Sequence, residues 1–350
     1  MPETEIAVDL PPYQAPRWLR GGHAQTIHAA TWAPRPLVNY WRERWDTPDY
    51  DFIDLDWVDN PARELRLEES DDTPLIVLFH GLEGSSNSHY ARAFMHAVDI
   101  HGGRGVVVHF RGCSGELNRL PRAYHSGDTA EIDWILRRFR ATRGGPIFAA
   151  GVSIGGNVLL KWLGEQGKAA GDVITRAAAI SVPFDLAATS DTLARGFNRV
   201  YTRHFLHSLK AKTLLKLKRY QALCDPQRMR AARTLREFDD VVTAPLHGFD
   251  GVDDYYARAS CKPYLEHIAV PTLLVSARND PFLPPQFLPR AEDMSTQVQL
   301  ELPEAGGHVG FVSGRFPGNI EWLTQRVLYF FADALREPQN APVAAPADPS

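Results

Sequence analysis

Three residues far apart in the chain, a serine, an aspartate and a histidine, have the types and surroundings that nucleophilic catalysis requires. Ser153 lies in Gly151-Val-Ser-Ile-Gly155, between an apolar run that ends near Val152 and a stretch with Leu159, Leu160 and Leu163 on one helical face. A hydroxyl held on a sharp strand-to-helix turn needs small neighbours, which the two glycines supply. The free N–H groups at the helix start would favour a developing oxyanion. A serine nucleophile also needs a base to take its proton and a group to orient that base. Asp280 stands just beyond an apolar run in Ser276-Ala-Arg-Asn-Asp280-Pro281, and His308 lies in the glycine-flanked Gly306-Gly-His-Val-Gly310. Alone, an Asp before Pro reads as a turn residue and a His among glycines as a loop residue. Their joint placement after successive strands makes them candidates for the orienting acid and the base. The oxyanion donors expected are the backbone N–H of Ile154, next to the nucleophile, and that of Leu82 in His80-Gly-Leu-Glu-Gly84. The ring of His80 is expected to brace that loop.

The elements that must position these residues follow a regular alternation. Leu75–Phe79 is continuously apolar, as in a strand covered on both faces. Next come a helix (about His89 to His101), a strand (Gly105 to Phe110), a helix (Thr129 to Arg140), the strand Ile147–Val152 and the helix behind Ser153. Further strands are expected at Ala177 to Val182, Thr272 to Ser276 and Gln297 to Leu302, and a last helix from about Ile320 to Leu335. Such βαβ units predict an α/β fold with a mostly parallel, doubly wound sheet. Before them, Tyr40 to Trp45 and Asp51 to Val58 alternate polar and apolar, which predicts two half-buried antiparallel strands at a sheet edge. The 127 residues from Ser153 to Asp280 leave room for an insertion, and the 28 from Asp280 to His308 for one βα unit.

That insertion, about 184–265, reads as a helical cap over the carboxyl ends of the strands. Between Thr192 and Cys224 it holds eight basic residues and no acidic one, with apolar residues interleaved. This reads either as a solvated basic face or as a surface that meets an anionic or membrane-held substrate. Residues 1–37, rich in proline, read as an extension packed on the domain of residues 38–336, with Arg20-Gly-Gly-His-Ala-Gln-Thr26 as a loop. Residues 337–350, mostly Pro, Ala and polar residues, read as a disordered tail.

Composition excludes several classes. In 350 residues, 38 basic side chains face 42 acidic ones, so no global charge favours nucleic acid. Three cysteines are too few for a disulfide scaffold and fit a reducing cytoplasm. The acidic start lacks the basic and apolar regions of a signal peptide, and no apolar run is long enough to span a bilayer. Metal-site and phosphate-loop motifs are missing, so neither metal nor nucleotide cofactor is expected. Cys113, between Gly112 and Ser114, reads as lining the site from the side rather than as a nucleophile.

The chain resembles the YheT-like α/β-hydrolases, related to eukaryotic α/β-hydrolase-domain esterases and lipases. The resemblance rests on Arg20-Gly-Gly-His-Ala-Gln-Thr26, His80-Gly-Leu-Glu-Gly84, Phe110-Arg-Gly-Cys-Ser-Gly115, Tyr124-His-Ser-Gly-Asp128, Gly151-Val-Ser-Ile-Gly155, Asn279-Asp-Pro281 and Gly307-His-Val-Gly-Phe311. The order Ser, Asp, His is the one expected of that fold. The resemblance implies a triad of Ser153, His308 and Asp280, hydrolysis of short-chain or lipid-like carboxylic esters, and no cofactor. An acyltransferase using the same triad and a non-catalytic ligand-binding protein remain the alternatives.

Overall fold

A computed structural model describes residues 10–59 and 72–336. Eight strands form one sheet: β1 (Tyr40–Asp46), β2 (Phe52–Val58), β3 (Leu75–Phe79), β4 (Arg104–His109), β5 (Ile147–Val152), β6 (Arg176–Ile180), β7 (Thr272–Val275) and β8 (Val298–Glu301). Their spatial order is β1-β2-β4-β3-β5-β6-β7-β8. Strands β3 to β8 run parallel, whereas β2 pairs antiparallel with both β1 and β4.

The pleat of β3 sorts its side chains between two cores. Leu75, Val77 and Phe79 pack with Ile132, Ile135 and Phe139 of helix α3 (Thr129–Thr142) and Leu159 and Leu163 of α4 (Ile154–Gln166). Ile76 and Leu78 pack with Phe94 and Met95 of α2 (His89–Ile100) and with Val327 and Phe331 of the last helix, Glu321–Arg336. An apolar run with both faces occupied needs helices on both sides, and the crossovers supply them.

The edge pair differs from its expected form. β1 is mostly exposed, with only Trp45 buried, but β2 is buried at six of seven positions. The polar residues of β2 do not face water, because each has partners. Arg44 of β1 holds both oxygens of Asp54 at 2.7 and 2.9 Å, and Ser114 donates a third hydrogen bond. Arg42 does the same for Asp56, joined by Ser86 and the His109 ring. Just before β2, Asp51 accepts from Asn118, Arg111 and the N–H groups of Phe52, Arg119 and Leu120.

Burial works to raise the pKa values of Asp51, Asp54 and Asp56, but the hydrogen bonds they accept outweigh it and hold all three below the ordinary carboxylate range. Their folded pKa values therefore lie below the unfolded value of about 3.9. The stability they contribute is present above that pH and lost as pH falls through the folded values. The melting temperature is expected to drop steeply below pH ~4. Asp56→Asn should flatten that limb, as thermal melts of both proteins across pH 3–6 would record.

The chain leaves β6 at Ile180 and returns at Thr272 through helices that include α5 (Leu186–Leu193), α6 (Arg199–Arg219) and Val252–Ala259. This insertion has small apolar clusters of its own, one around Tyr255 and Tyr256, another around Leu206, Met229 and Phe238. Its basic stretch is divided. Arg195, Arg199, Arg203, Lys218 and Arg219 are exposed. Lys210, Lys212 and Lys216 turn inward, onto the Arg230 and Ala232 carbonyls, the Glu83 carboxylate, and the Pro121 and Arg122 carbonyls respectively. No helix among the described residues is long and apolar enough to cross a membrane. The expected tail and the acidic start lie outside the described residues.

Candidate active site

Ser153 occupies the turn between β5 and α4 with φ 53° and ψ −119°, in the left-handed half of backbone space that a serine rarely adopts. The turn is held by its N–H, which donates to the Ile180 carbonyl at 2.8 Å, and by its carbonyl, which accepts from Asn157 N–H at 2.9 Å. Close packing below the turn requires Gly155, since a Cβ there would overlap the carbonyl oxygens of Phe79 and His80 at the end of β3. The N–H of Ile154 lies in the first turn of α4, where no intrahelical acceptor exists.

Asp280 and His308 follow β7 and β8, at the same end of the sheet. Asp280 Oδ2 lies 2.9 Å from His308 Nδ1, and its Oδ1 accepts from the Phe282 N–H at 2.8 Å. Both side chains are largely buried, at 4% and 11% exposure. Phe282 also stacks on the imidazole, with ring centroids 4.0 Å apart and planes 19° apart, and it packs in turn on Tyr201 and Phe205 of α6. With Nδ1 engaged by the carboxylate, Nε2 is the nitrogen left for proton exchange.

Leu82, Ser153, Ile154, Asp280 and His308 all line one cavity beneath the insertion, part of it open to solvent. Its walls are mainly apolar, with Leu186, Leu193, Phe205, Phe238 and Leu283 among them. The five residues singled out from the sequence are thus brought together.

The loop that carries Leu82 is fastened on several sides. The His80 ring bridges it to β4: Nε2 accepts the Phe110 N–H at 3.1 Å, and Nδ1 lies 2.7 Å from the Gly81 carbonyl oxygen. Burial pushes the His80 pKa down to about 3, so the ring stays neutral and able to accept. Glu83, with φ 55°, ion-pairs with Lys212 of α6 at 2.8 Å and accepts from Tyr124 OH at 2.9 Å. The cap helix is therefore tied directly to the residue after Leu82. Cys113 does not line the cavity. It is buried beside Lys212 Nζ, at 3.4 Å, and burial pushes its pKa up to about 12, which leaves the thiol protonated.

The stretch Arg20–Thr26 is the main correction. Expected as a loop, it instead starts helix α1, Gly22–Thr31. Thr26 Oγ1 accepts the His308 N–H at 2.8 Å while donating to Gly22 O, and Gln25 Oε1 accepts the Val312 N–H at 2.8 Å. Asn279 completes the junction, accepting from Gly307 N–H and donating to the Arg20 carbonyl. The polar, glycine-led character of 20–26 was the available signal, because a helix that satisfies another loop's N–H groups must present short polar side chains. Thr26→Val removes one acceptor from His308 and should cost about 1 kcal/mol of positioning. Turnover is then expected to fall between about five- and tenfold with KM little changed, measurable by steady-state ester kinetics.

Asn157 is a second residue that motif reading passes over. Its amide donates to the Ser126 and Ala259 carbonyls, and its oxygen accepts from Cys261 N–H, so α4 is pinned to the loop before α3 and to the carboxyl end of the cap. Arg111, in the third motif block, has no contact with the triad residues. It binds Asp49, Asp51 and Glu131, which makes that block a structural clamp on the sheet edge.

Comparison with known proteins agrees with this architecture. Residues 74–314 match the family model described as alpha/beta hydrolase fold. The chain is 42% identical over 310 residues to "Putative esterase YheT" of Escherichia coli (strain K12), covering 86% of this chain and 88% of that protein. It is 30% identical over 323 residues to human "Phospholipase ABHD3", covering 91% and 78% respectively. Among solved structures, alpha/beta hydrolase domain-containing protein 10 from mouse aligns with a TM-score of 0.52 at 13% identity, over 84% of this chain and 99% of that one. An esterase of Pyrococcus furiosus aligns with a TM-score of 0.51 at 18% identity, over 86% and 98%. From its strand order and its match to these relatives, the chain belongs to the α/β-hydrolase family and to its YheT-like members.

Proposed function

We propose that this protein is a serine esterase that cleaves carboxylic esters with an apolar acyl chain through Ser153, His308 and Asp280. The carrying observation is the joint lining of one apolar cavity by Ser153 on its strained turn and by His308 with Nδ1 held by Asp280. In the proposed reaction, His308 Nε2 takes the proton of Ser153 as Oγ bonds to the ester carbonyl carbon. The carbonyl oxygen becomes an oxyanion that accepts from the N–H groups of Leu82 and Ile154. The carbon–oxygen bond to the alcohol then breaks, and the imidazolium returns its proton to the leaving alkoxide. A water molecule, deprotonated by the same nitrogen, releases the acid and restores Ser153. Asp280 stabilises the charged ring in both steps. The apolar walls favour acyl chains, and relatives named as an esterase and as a phospholipase support this substrate class.

Labelling with a fluorophosphonate tests the reading, since only an activated serine reacts. Wild type is expected to label at one site and Ser153→Ala to show none, with p-nitrophenyl ester hydrolysis lost in parallel. Labelling that persists in the variant would assign the nucleophile elsewhere. Formation of a new ester when an alcohol is added would instead mark acyl transfer.

A further inference from the structure

The cap wall of the cavity carries a polar cluster that the proposed reaction does not use. Asp239 lines the cavity, as do Thr189, Ser190 and Tyr256. Asp239 accepts one hydrogen bond on each oxygen, from Thr243 Oγ1 at 2.6 Å and from Tyr256 OH at 2.8 Å. The Tyr256 hydroxyl also lies 3.1 Å from Ser190 Oγ. A carboxylate offers about four acceptor sites, so both oxygens retain capacity. Among the described residues, no Lys, Arg or His forms an ion pair with Asp239. Thr189 is 91% buried, and its Oγ1 is shut off from bulk water with no hydrogen-bond partner among the described residues.

A carboxylate without a cationic partner and an orphaned hydroxyl in a mainly apolar cavity are costly to maintain for packing alone. The backbone at Asp239–Thr243 is a π-helical turn, a local form found frequently at functional sites. Burial raises the pKa of Asp239 to about 6, which reflects the lack of a cationic partner. A protein seeking only a stable cap would gain by placing apolar side chains here, as it does at Leu186, Leu193 and Phe238.

Resting on the esterase reading, we propose that Asp239 and Thr189 form a specificity subsite for a hydrogen-bond donor, a hydroxyl or an ammonium group, on the part of the substrate that reaches the cap. The substrate class is then an ester with one polar donor beyond an apolar segment, rather than a simple alkyl ester. A site built around an acceptor pair discriminates against an analogue that leaves the pair unmatched.

The test compares p-nitrophenyl alkanoates ending in methyl, hydroxyl or ammonium, over chain lengths from about four to twelve carbons. Wild type is expected to show a window of lengths in which a donor-ended ester exceeds its methyl counterpart in kcat/KM by about tenfold or more. The hydroxyl and ammonium arms distinguish a neutral from a cationic donor. Thr189→Val, nearly isosteric and breaking no existing hydrogen bond, should shrink that ratio severalfold, and Asp239→Asn should shrink it further. Equal rates for methyl and donor ends at every length would overturn the subsite while leaving the esterase reading intact. If wild type cleaves none of the esters, that reading fails instead, and calorimetry with Ser153→Ala decides the subsite separately. Tighter binding of 1,n-alkanediols than of the matching alkanols would support it, and equal binding would overturn it.

Discussion

Ser153→Ala is expected to lower kcat for a short p-nitrophenyl ester by about 10⁶ while leaving the melting temperature unchanged or slightly raised. The size follows from the way the proposed triad acts as a unit. Without Oγ there is no acyl-enzyme, and the His308–Asp280 pair has no proton to move. The small effect on stability follows from the geometry of the turn. Ser153 is held by main-chain hydrogen bonds to Ile180 and Asn157 that alanine keeps. Alanine and serine bear similar strain at φ 53°. Steady-state kinetics and a thermal melt on the same preparation check both halves. Residual turnover within a hundredfold of wild type would mean that another group attacks the ester.

Asp280→Asn should cost about 10⁴ in kcat, with KM changed little. The environment of the carboxylate supplies a specific reason. Oδ1 accepts the Phe282 N–H, so an asparagine would place its own oxygen there and direct its NH₂ group at His308 Nδ1. That nitrogen would have to accept, which puts the ring proton on Nε2. An imidazole protonated at Nε2 presents no lone pair to Ser153. The fold should survive, because the same two contacts remain filled. Kinetics on this variant, with circular dichroism as the folding control, would test the argument. A loss of only a few-fold would mean that Asp280 does not govern the ring.

Both predictions concern residues identified by local pattern, and that reflects how the information is stored. The turn at Ser153 is encoded within five residues because its constraints are local: a positive φ at 153 and no room for a side chain at Gly155. The parallel sheet is legible for a similar reason. A strand covered on both faces must be almost wholly apolar, and β3 and β5 are, as is β6 after Arg176. The strand and helix ends all lie within two residues of their expected places.

What failed was any reading that treated polar residues as facing water. β2 alternates polar and apolar residues, which predicts one wet face, yet Asp54 and Asp56 are buried under Arg44 and Arg42. The arginines sit 10 and 14 residues earlier, and only the antiparallel register of β1 on β2 brings them opposite. Lys212 and Lys216 read as part of a basic face, but they reach the body through contacts 129 and about 95 residues away in sequence.

By itself, then, the sequence determined the α/β alternation, the strand–turn–helix that carries Ser153, the residues from which the triad is proposed, and the presence of a helical insertion. Each is written in spacing and residue type over short windows. Tertiary structure alone decided that α1 is a helix clamping the His308 loop, that Phe282 roofs the imidazole, that Glu83 ties the Leu82 loop to the cap, and that Asp239 and Thr189 share the cavity. These depend on side chains converging from distant segments, as Thr26 and His308 do across 282 residues. A one-dimensional pattern carries no trace of such a meeting until the chain is packed.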